Sequence, residues 1–142
     1  MERLDSVIFY SLDKSIKTYR QYAQKKFNEA GFDITIDQWL VLNALIEKPD
    51  ISQLEIADRV FKDAASVTRI IDLLIKKNYL QRKMHNSDRR RFTLEPTPVG
   101  KKLIKNISSV VEQNRAKALK GINENELLKM KQTLTLIIDN CK

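Results

Sequence analysis

The chain has 142 residues, of which 42% are hydrophobic and 31% are charged, and its formal net charge is +8. This balance is typical of one globular domain and excludes an intrinsically disordered chain. The sequence lacks an apolar run long enough to cross a membrane and a signal-peptide pattern, which predicts a cytoplasmic protein. The single cysteine, Cys141, excludes an internal disulfide and agrees with a reducing compartment.

The first predicted element is a long helix from Leu4 to Ala30, in which apolar residues recur at three- and four-residue steps. Gly31 is the expected C-terminal cap. Apolar side chains surround much of the first turns, and one neighbouring element cannot cover them all. They predict contact with a second copy of the chain, although a monomer with a well-covered first helix is the alternative. These residues are Leu4, Ile8, Phe9, Tyr10 and Leu12.

Two capping boxes divide the next segment. Thr35 with Gln38 predicts the start of a helix that Pro49 ends, and Ser52 with Glu55 predicts a short helix from about residue 53 to 60. In the second box, the Ser52 hydroxyl should accept from the Glu55 N–H while the Glu55 carboxylate accepts from the Ser52 N–H. Ile51 and Ile56 occupy the positions of a hydrophobic staple.

A second amphipathic helix follows the short one after a tight turn, with Asp63 as its N-cap and an end near Lys77. Its apolar stripe at i, i+3, i+4 and i+7 fixes one face to the core. Two helices in this order form a helix-turn-helix candidate, Ser52 to Lys77, whose second helix fits a DNA major groove. The residues expected to contact DNA are Lys62, Ala65, Ser66, Thr68, Arg69 and Lys76, although an ordinary surface helix also shows such residues.

Two short β-like runs, 79–84 and 91–95, flank a turn-rich tip and predict a basic hairpin after that helix. Between Arg59 and Phe92 there are ten cationic side chains and three acidic ones, so most of the net charge lies in about a quarter of the chain. A basic hairpin beside a helix-turn-helix indicates a winged helix and a polyanionic partner, while a solvated charged face is the plainer alternative. The cations of the hairpin are Arg82, Lys83, Arg89, Arg90 and Arg91.

The C-terminal part predicts two more helices. Thr97-Pro98 is an N-cap followed by proline, and the helix it opens should run to about Lys120, with Gly121 ending it. Asn123 and Glu126 predict the start of the last helix, which carries Leu127, Leu134 and Ile138 on its apolar side.

The sequence offers little support for an enzyme active site or a metal site. His85 is the only histidine, and it lies far from Cys141, which predicts neither a zinc site nor a nucleophile–base–acid set. A phosphate-binding glycine loop is also missing from the sequence. We therefore expect no catalytic residue, no metal and no cofactor, and the sequence does not assign Cys141 a redox role.

Residues 88–100, DRRRFTLEPTPVG, resemble the D-x-R-x-x-x-L-x-L-T-x-x-G signature of the MarR family of bacterial transcription regulators. Asp88, Arg90, Leu94, Thr97 and Gly100 match, and proline stands at position 96, where the family usually has leucine. Residues 66–74, SVTRIIDLL, also resemble the recognition helix of that family. The order and lengths of the elements agree over nearly the whole chain.

The resemblance implies a mainly α fold with a small β-hairpin wing, an α+β arrangement in one domain over 1–142. Residues 35–96 would form the winged helix-turn-helix, and residues 1–31 and 97–142 a helical dimerisation part. Arg90 would enter the minor groove of a pseudo-palindromic operator and Asp88 would orient the arginines of the wing. The implied dimer contacts are Leu4, Ile8, Leu12, Leu127, Leu134 and Ile138.

Family members often repress transcription and often release DNA when a small aromatic or phenolic ligand binds between the dimerisation and DNA-binding parts. In this chain Tyr19, Tyr22 and Trp39 are the candidate lining residues, although aromatic residues at helical spacing more often belong to the core. The alternative to a DNA-binding regulator is a winged-helix dimer that acts by contacting an acidic protein partner.

Overall fold

The computed structural model describes residues 1–84 and 92–142, which form six α-helices and one β-hairpin. A short 3₁₀ turn, Leu4–Ser6, precedes the first helix. In chain order the elements are α1 (Ile8–Glu29), α2 (Ile36–Glu47), α3 (Gln53–Val60), α4 (Ala64–Lys76), β1 (Leu80–Met84), β2 (Phe92–Pro96), α5 (Pro98–Ala118) and α6 (Glu124–Cys141). The prediction of a mainly α protein with a small hairpin wing is confirmed.

The helix starts follow from local hydrogen bonds. At each predicted N-cap from α2 onward, the capping side chain accepts from the backbone N–H three residues later. Only α2 has the full capping box, in which the Gln38 Oε1 also accepts from the Thr35 N–H at 3.1 Å. These bonds satisfy N–H groups that a helix leaves without partners in its first turn.

Two predictions about local structure are wrong. The Glu55 carboxylate accepts from the Lys48 Nζ at 2.7 Å, not from the Ser52 N–H, because an ammonium is a stronger partner for a carboxylate than a neutral amide. The first helix does not begin at Leu4, since extended backbone at Val7 separates it from the 3₁₀ turn. The Ser6 hydroxyl donates to the Arg3 carbonyl at 2.7 Å and so closes that turn locally.

The hydrophobic core lies between α2, α3, α4 and the first half of α5. Each fully buried aliphatic side chain there contributes about 1.5–3 kcal/mol relative to an exposed one. Helix α1 adds only Ala23 and Phe27 to the buried set, and α6 adds none. The side chains with no exposed surface are Val41, Leu42, Ile56, Val67, Ile71, Leu74 and Ile107.

The base of the hairpin is fixed to the core at both strands. β1 and β2 pair antiparallel, from Leu80 opposite Pro96 to Met84 opposite Phe92, and Leu80 is buried. The Thr97 hydroxyl donates to the Asn78 carbonyl at 2.6 Å and accepts from the Gly100 N–H at 3.0 Å. An isolated two-stranded ribbon is marginal, so these contacts hold the wing in place.

Among the described residues, no helix combines the length and apolar content that a membrane crossing requires. Residues 1–84 and 92–142 also contain no group of three or more His, Cys, Asp or Glu side chains placed to hold a metal ion. The Cys141 thiol is free and exposed near the end of α6.

Candidate nucleic-acid interface

A strained turn places α4 after α3. Phe61 adopts the left-handed conformation, with φ 59°, and its N–H closes the end of α3. Asp63 then caps α4 by accepting from the Ser66 N–H at 2.8 Å and from the Ser66 hydroxyl at 3.1 Å. These two bonds lower the pKa of Asp63, the backbone bond being the larger cause, and so stabilise the ionised form of the cap.

The outer face of α4 has the composition expected of a helix that approaches base edges. Ala65, Thr68, Arg69 and Lys76 are exposed, as predicted, and small side chains occupy the first turn. Ser66 is half-buried, and its hydroxyl already donates to the N-cap residue Asp63. The long cations Arg69 and Lys76 form no ion pair with another described residue, so both are able to bind an external anion.

Among the described residues, one ion pair joins the hairpin to α4. The Arg82 Nη2, on β1, lies 3.0 Å from the Asp72 Oδ1, on the exposed face of α4. On the hairpin itself, the Lys83 Nζ lies 3.8 Å from the Glu95 Oε2. Two of the predicted hairpin cations are therefore partly neutralised. The wing residues Asp88, Arg89, Arg90 and Arg91, and also His85, lie outside the described residues.

Lys62, which we expected on the DNA-facing surface, is exposed but paired. Its Nζ lies 3.4 Å from the Asp37 Oδ2, in the first turn of α2. The same carboxylate accepts from the Arg20 guanidinium of α1 through its Oδ1. Lys62 thus ties the helix-turn-helix to α1 and α2, and a phosphate would compete with Asp37 for it.

A cavity of about 170 Å³ lies between α1, α2 and α5. Tyr19 and Trp39 both line it, and Phe27 packs edge-on against Trp39 with 6.5 Å between ring centroids. Asn114, which is 3% exposed, also lines it, and its Nδ2 has no hydrogen-bond partner among the described residues. The remaining polar residues of the wall are Arg20 and Arg115.

Tyr22, predicted to share that pocket, does not line it. Its ring lies at a separate, more open pocket of about 600 Å³ between α1 and the end of α5, which Tyr19 also reaches. Positions 19 and 22 are about 60° apart around a helix, so the two rings point to different neighbours. The Lys26 ammonium stacks over the Tyr22 ring at 5.6 Å from its centroid.

The residues expected at a dimer interface fall into two groups. Leu4, Ile8 and Ile138 are more than half exposed, while the other three, Leu12, Leu127 and Leu134, are half-buried. Helix α6 has no buried residue although it is 18 residues long. Large exposed hydrophobics of that helix that were not among the expected interface residues are Leu128, Met130 and Leu136.

A family model described as the MarR family matches residues 32–91, which run from the start of α2 into the wing. That segment contains the helix-turn-helix, the recognition helix and β1. Over residues 32–91 the chain is similar to the MarR family. The match covers the recognition helix and the first residues of the signature around the wing, and the resemblance found there is confirmed.

Solved structures extend the likeness beyond the MarR segment to the whole chain. They include BpsR of Bordetella bronchiseptica, solved to explain how 6-hydroxynicotinic acid regulates its DNA binding, at 21% identity and a TM-score of 0.85, covering 98% of each chain. A MepR–DNA complex of S. aureus shares 22% identity and a TM-score of 0.83, covering 97% of this chain and 99% of that one. A MarR/EmrR family transcriptional regulator of Acinetobacter sp. ADP1 shares 19% identity and a TM-score of 0.87, with 99% and 98% covered. At these identities the matches show that the chain has the fold of winged-helix MarR regulators.

Sequence reasoning missed several contacts of this surface and of the cavity. Asp37 and Asp72 are acids that position cations of the helix-turn-helix and the wing, and Asn114 is the unpartnered polar group of the cavity. No spacing rule connects Asp72 with Arg82, because a helix end and a turn lie between them. The signal that could have added Asn114 to the predicted lining was a polar residue at that position in the apolar series of α5.

Proposed function

We propose that this chain is a sequence-specific double-stranded DNA-binding transcription regulator, not an enzyme, and that it acts as a homodimer and represses transcription. The observation that carries the proposal is the outer face of α4. Small residues lie at its start, two cations without ion partners among the described residues lie along it, and a basic wing stands beside it. A polyanion with a groove wide enough for a helix matches this surface.

The residues divide into two roles. Arg69, with Ala65, Ser66 and Thr68 around it, would read base edges, since an arginine can donate two hydrogen bonds to guanine O6 and N7. Lys76, further along α4, would bind a DNA phosphate. Lys62 would do the same after releasing Asp37. The wing arginines Arg89, Arg90 and Arg91 would enter the minor groove, oriented by Asp88, because a narrow minor groove concentrates negative potential.

A homodimer accounts for the apolar surface of the terminal helices. In a single chain α6 exposes large hydrophobics on more than one side, and the 3₁₀ turn and the first turn of α1 expose Leu4 and Ile8. Exposed apolar patches of this kind mark protein–protein contacts. We propose residues 1–31 and 97–142 as the dimerisation part, with residues 35–96 as the DNA-binding part. Two symmetric heads would then read half-sites roughly 34 Å apart.

The cavity between α1, α2 and α5 would bind the effector, a small aromatic or phenolic acid. Tyr19, Phe27 and Trp39 supply an apolar wall. The Asn114 Nδ2 needs an acceptor, because a buried donor without one costs about 1–3 kcal/mol. Arg20 and Arg115 supply positive charge for a carboxylate. The BpsR structure, in which 6-hydroxynicotinic acid regulates DNA binding, supports this ligand class.

DNA selection tests the first part of the proposal. The purified protein is used to enrich binding sequences from a pool of random DNA duplexes. Its affinity for the enriched sequence and for a scrambled one is then measured at about 50 to 200 mM salt, the range in which phosphate contacts change affinity strongly. We expect a pseudo-palindromic sequence and a steep fall in affinity with salt, with a slope of about −0.9 per neutralised phosphate. No enrichment, or an affinity independent of salt, overturns the proposal and favours an acidic protein partner.

Fluorescence tests the ligand. Trp39 is the only tryptophan of the chain and lines the cavity, so occupancy changes its emission directly. Salicylate is titrated against benzyl alcohol, which has the ring without the carboxylate. We expect saturable quenching of Trp39 fluorescence by salicylate and weaker quenching by benzyl alcohol. In Asn114→Leu the two compounds should quench equally. Equal, unsaturable quenching by both compounds contradicts a carboxylate site.

A further inference from the structure

One carboxylate joins the cavity to the start of the recognition helix. Asp37, in the first turn of α2, accepts from the Arg20 guanidinium through Oδ1 and lies 3.4 Å from the Lys62 Nζ through Oδ2. Its side chain is 28% exposed, less than either cation. Arg20 comes from α1 and lines the cavity, while Lys62 immediately precedes Asp63, the N-cap of α4. The three charges therefore form an unbroken chain from the cavity wall to α4.

The far end of α4 is tied to the same turn of α2. The Lys77 Nζ donates to the Gln38 Oε1 at 3.0 Å and to the Asp33 carboxylate at 3.2 Å. Adjacent residues, Asp37 and Gln38, thus hold the two ends of the recognition helix. Val67, Ile71 and Leu74 on the apolar stripe of α4 are buried, so we expect a shift of this turn relative to α1 to move α4 as one element.

The Arg20 contact determines how well Asp37 can hold Lys62. A guanidinium that engages Oδ1 fixes the rotation of the carboxylate and so presents Oδ2 to the lysine. When Arg20 turns toward another anion, that orientation is lost and Lys62 has a less ordered acceptor. Arg115 lines the same cavity but forms no ion pair with another described residue, so turning it away breaks nothing.

We propose that Arg20 is a coupling residue: drawing its guanidinium from Asp37 toward an anion in the cavity loosens Lys62 and the start of α4. Arg20 acts through Asp37 and is a positioning residue for DNA binding, not a DNA contact. The trigger rests on the proposed ligand, but the coupling itself is a property of the protein alone. It is measured without ligand or DNA.

Hydrogen exchange on the full chain tests the coupling. The reporters are three N–H groups with hydrogen bonds at the start of α4: Lys62, bonded to the Ala57 carbonyl, Ser66, bonded to Asp63, and Val67, bonded to the Asp63 carbonyl. In Arg20→Met we expect exchange of these amides to accelerate about two- to fivefold, which is what an ion pair of this exposure is worth. Asp37→Asn should have the same effect, and the double variant no more than either single one.

Two controls separate coupling from a general change in the cavity. Arg115→Met removes the other arginine of the wall and should leave the three amides at the wild-type rate. Arg20→Lys keeps the charge and should restore part of the protection. Wild-type exchange in Arg20→Met, additive effects in the double variant, or equal acceleration in Arg115→Met each overturn the proposal. If the chain failed to bind DNA, these exchange rates would still decide it.

Discussion

The Arg82 guanidinium on β1 donates to the Asp72 carboxylate on α4 across 3.0 Å, so the wing and the recognition helix are linked by their own side chains. Both partners are about half exposed, and the pair adds at most about 1 kcal/mol to stability. Its consequence is geometric and electrostatic. Asp72 places one negative charge on the surface that we propose to face DNA, and it holds a cation that would otherwise reach phosphate.

Neutralising this acid should therefore exchange specificity for affinity. In Asp72→Asn we expect tighter binding to random DNA, because a repulsive charge is lost and Arg82 becomes available to phosphate. We also expect a smaller ratio between specific and random affinities, since the wing is no longer aligned with α4. Fluorescence anisotropy with the selected and scrambled duplexes measures both affinities. The free energy of unfolding should stay within about 1 kcal/mol of the wild-type value.

Glu95→Gln is the matched control for Asp72→Asn. It also removes a carboxylate paired with a hairpin cation, but that pair, with Lys83 at 3.8 Å, lies within the hairpin. It should raise random-DNA affinity less and leave the specificity ratio near that of wild type. A specificity ratio that falls equally in both variants would assign the effect to net charge alone.

Arg69 and Lys76 should lose different properties when truncated. Arg69→Ala is expected to cost about 1–3 kcal/mol on the selected sequence and less on random DNA, because it removes a base contact. Lys76→Ala should weaken binding to the selected sequence and to random DNA alike. It should also reduce the salt dependence of affinity by about the amount that one phosphate contact contributes. Lys129→Ala, an exposed cation on α6, controls for the loss of charge. A uniform loss in Arg69→Ala would reduce that residue to a phosphate contact.

The elements could be predicted because their signals are local. Each N-cap depends on a side chain and an N–H three residues apart, and all the predicted caps from Thr35 to Asn123 form. The capping box at Ser52 shows the limit of this reasoning. Its Glu55 has a correct spacing, but Lys48, seven residues earlier, takes the carboxylate once α2 and α3 are packed.

The site could be predicted only as a surface, not as a set of contacts. Helical periodicity correctly places Thr68 and Arg69 outside, since it needs only an angle around the helix axis. The pairing of Lys62 with Asp37 joins residues 25 positions apart and depends on how α2 meets the turn before α4. For the same reason the sequence could not show which helices enclose the cavity that Tyr19 and Trp39 line.

Gly100 should not tolerate even a methyl group. A Cβ at this position would lie 2.2 Å from the Tyr79 carbonyl oxygen, in the segment that joins α4 to β1. Glycine to alanine inside a helix normally stabilises by about 1 kcal/mol, whereas overpacking against backbone typically costs about 1–3 kcal/mol. We therefore expect Gly100→Ala to lower the unfolding free energy in urea. Val99→Ala, at a neighbouring half-exposed position, should change it little, and a stabilised Gly100→Ala would contradict the close approach.

The proposed dimer makes the last prediction. Leu134 and Ile138 lie one turn apart on α6, a helix with no buried residue in the isolated chain. Charges placed there in Leu134→Glu/Ile138→Glu would have to be buried without partners in a dimer, at a cost far above the solvation change in a monomer. We expect sedimentation at micromolar concentration to give a dimer for wild type and a monomer for the double variant. The loss of dimerisation should also lower the affinity for the operator, because a single head binds only one half-site.

The control for that variant adds one glutamate to the same helix, on the side away from Leu134 and Ile138. Gln132→Glu lies on an exposed polar position of the same helix and should remain dimeric. If the double glutamate variant also stays dimeric with unchanged affinity, α6 is not the interface. The exposed Leu4 and Ile8 would then have to provide it alone, and Ile8→Glu would become the variant that separates the protomers, since that side chain is 61% exposed in one chain.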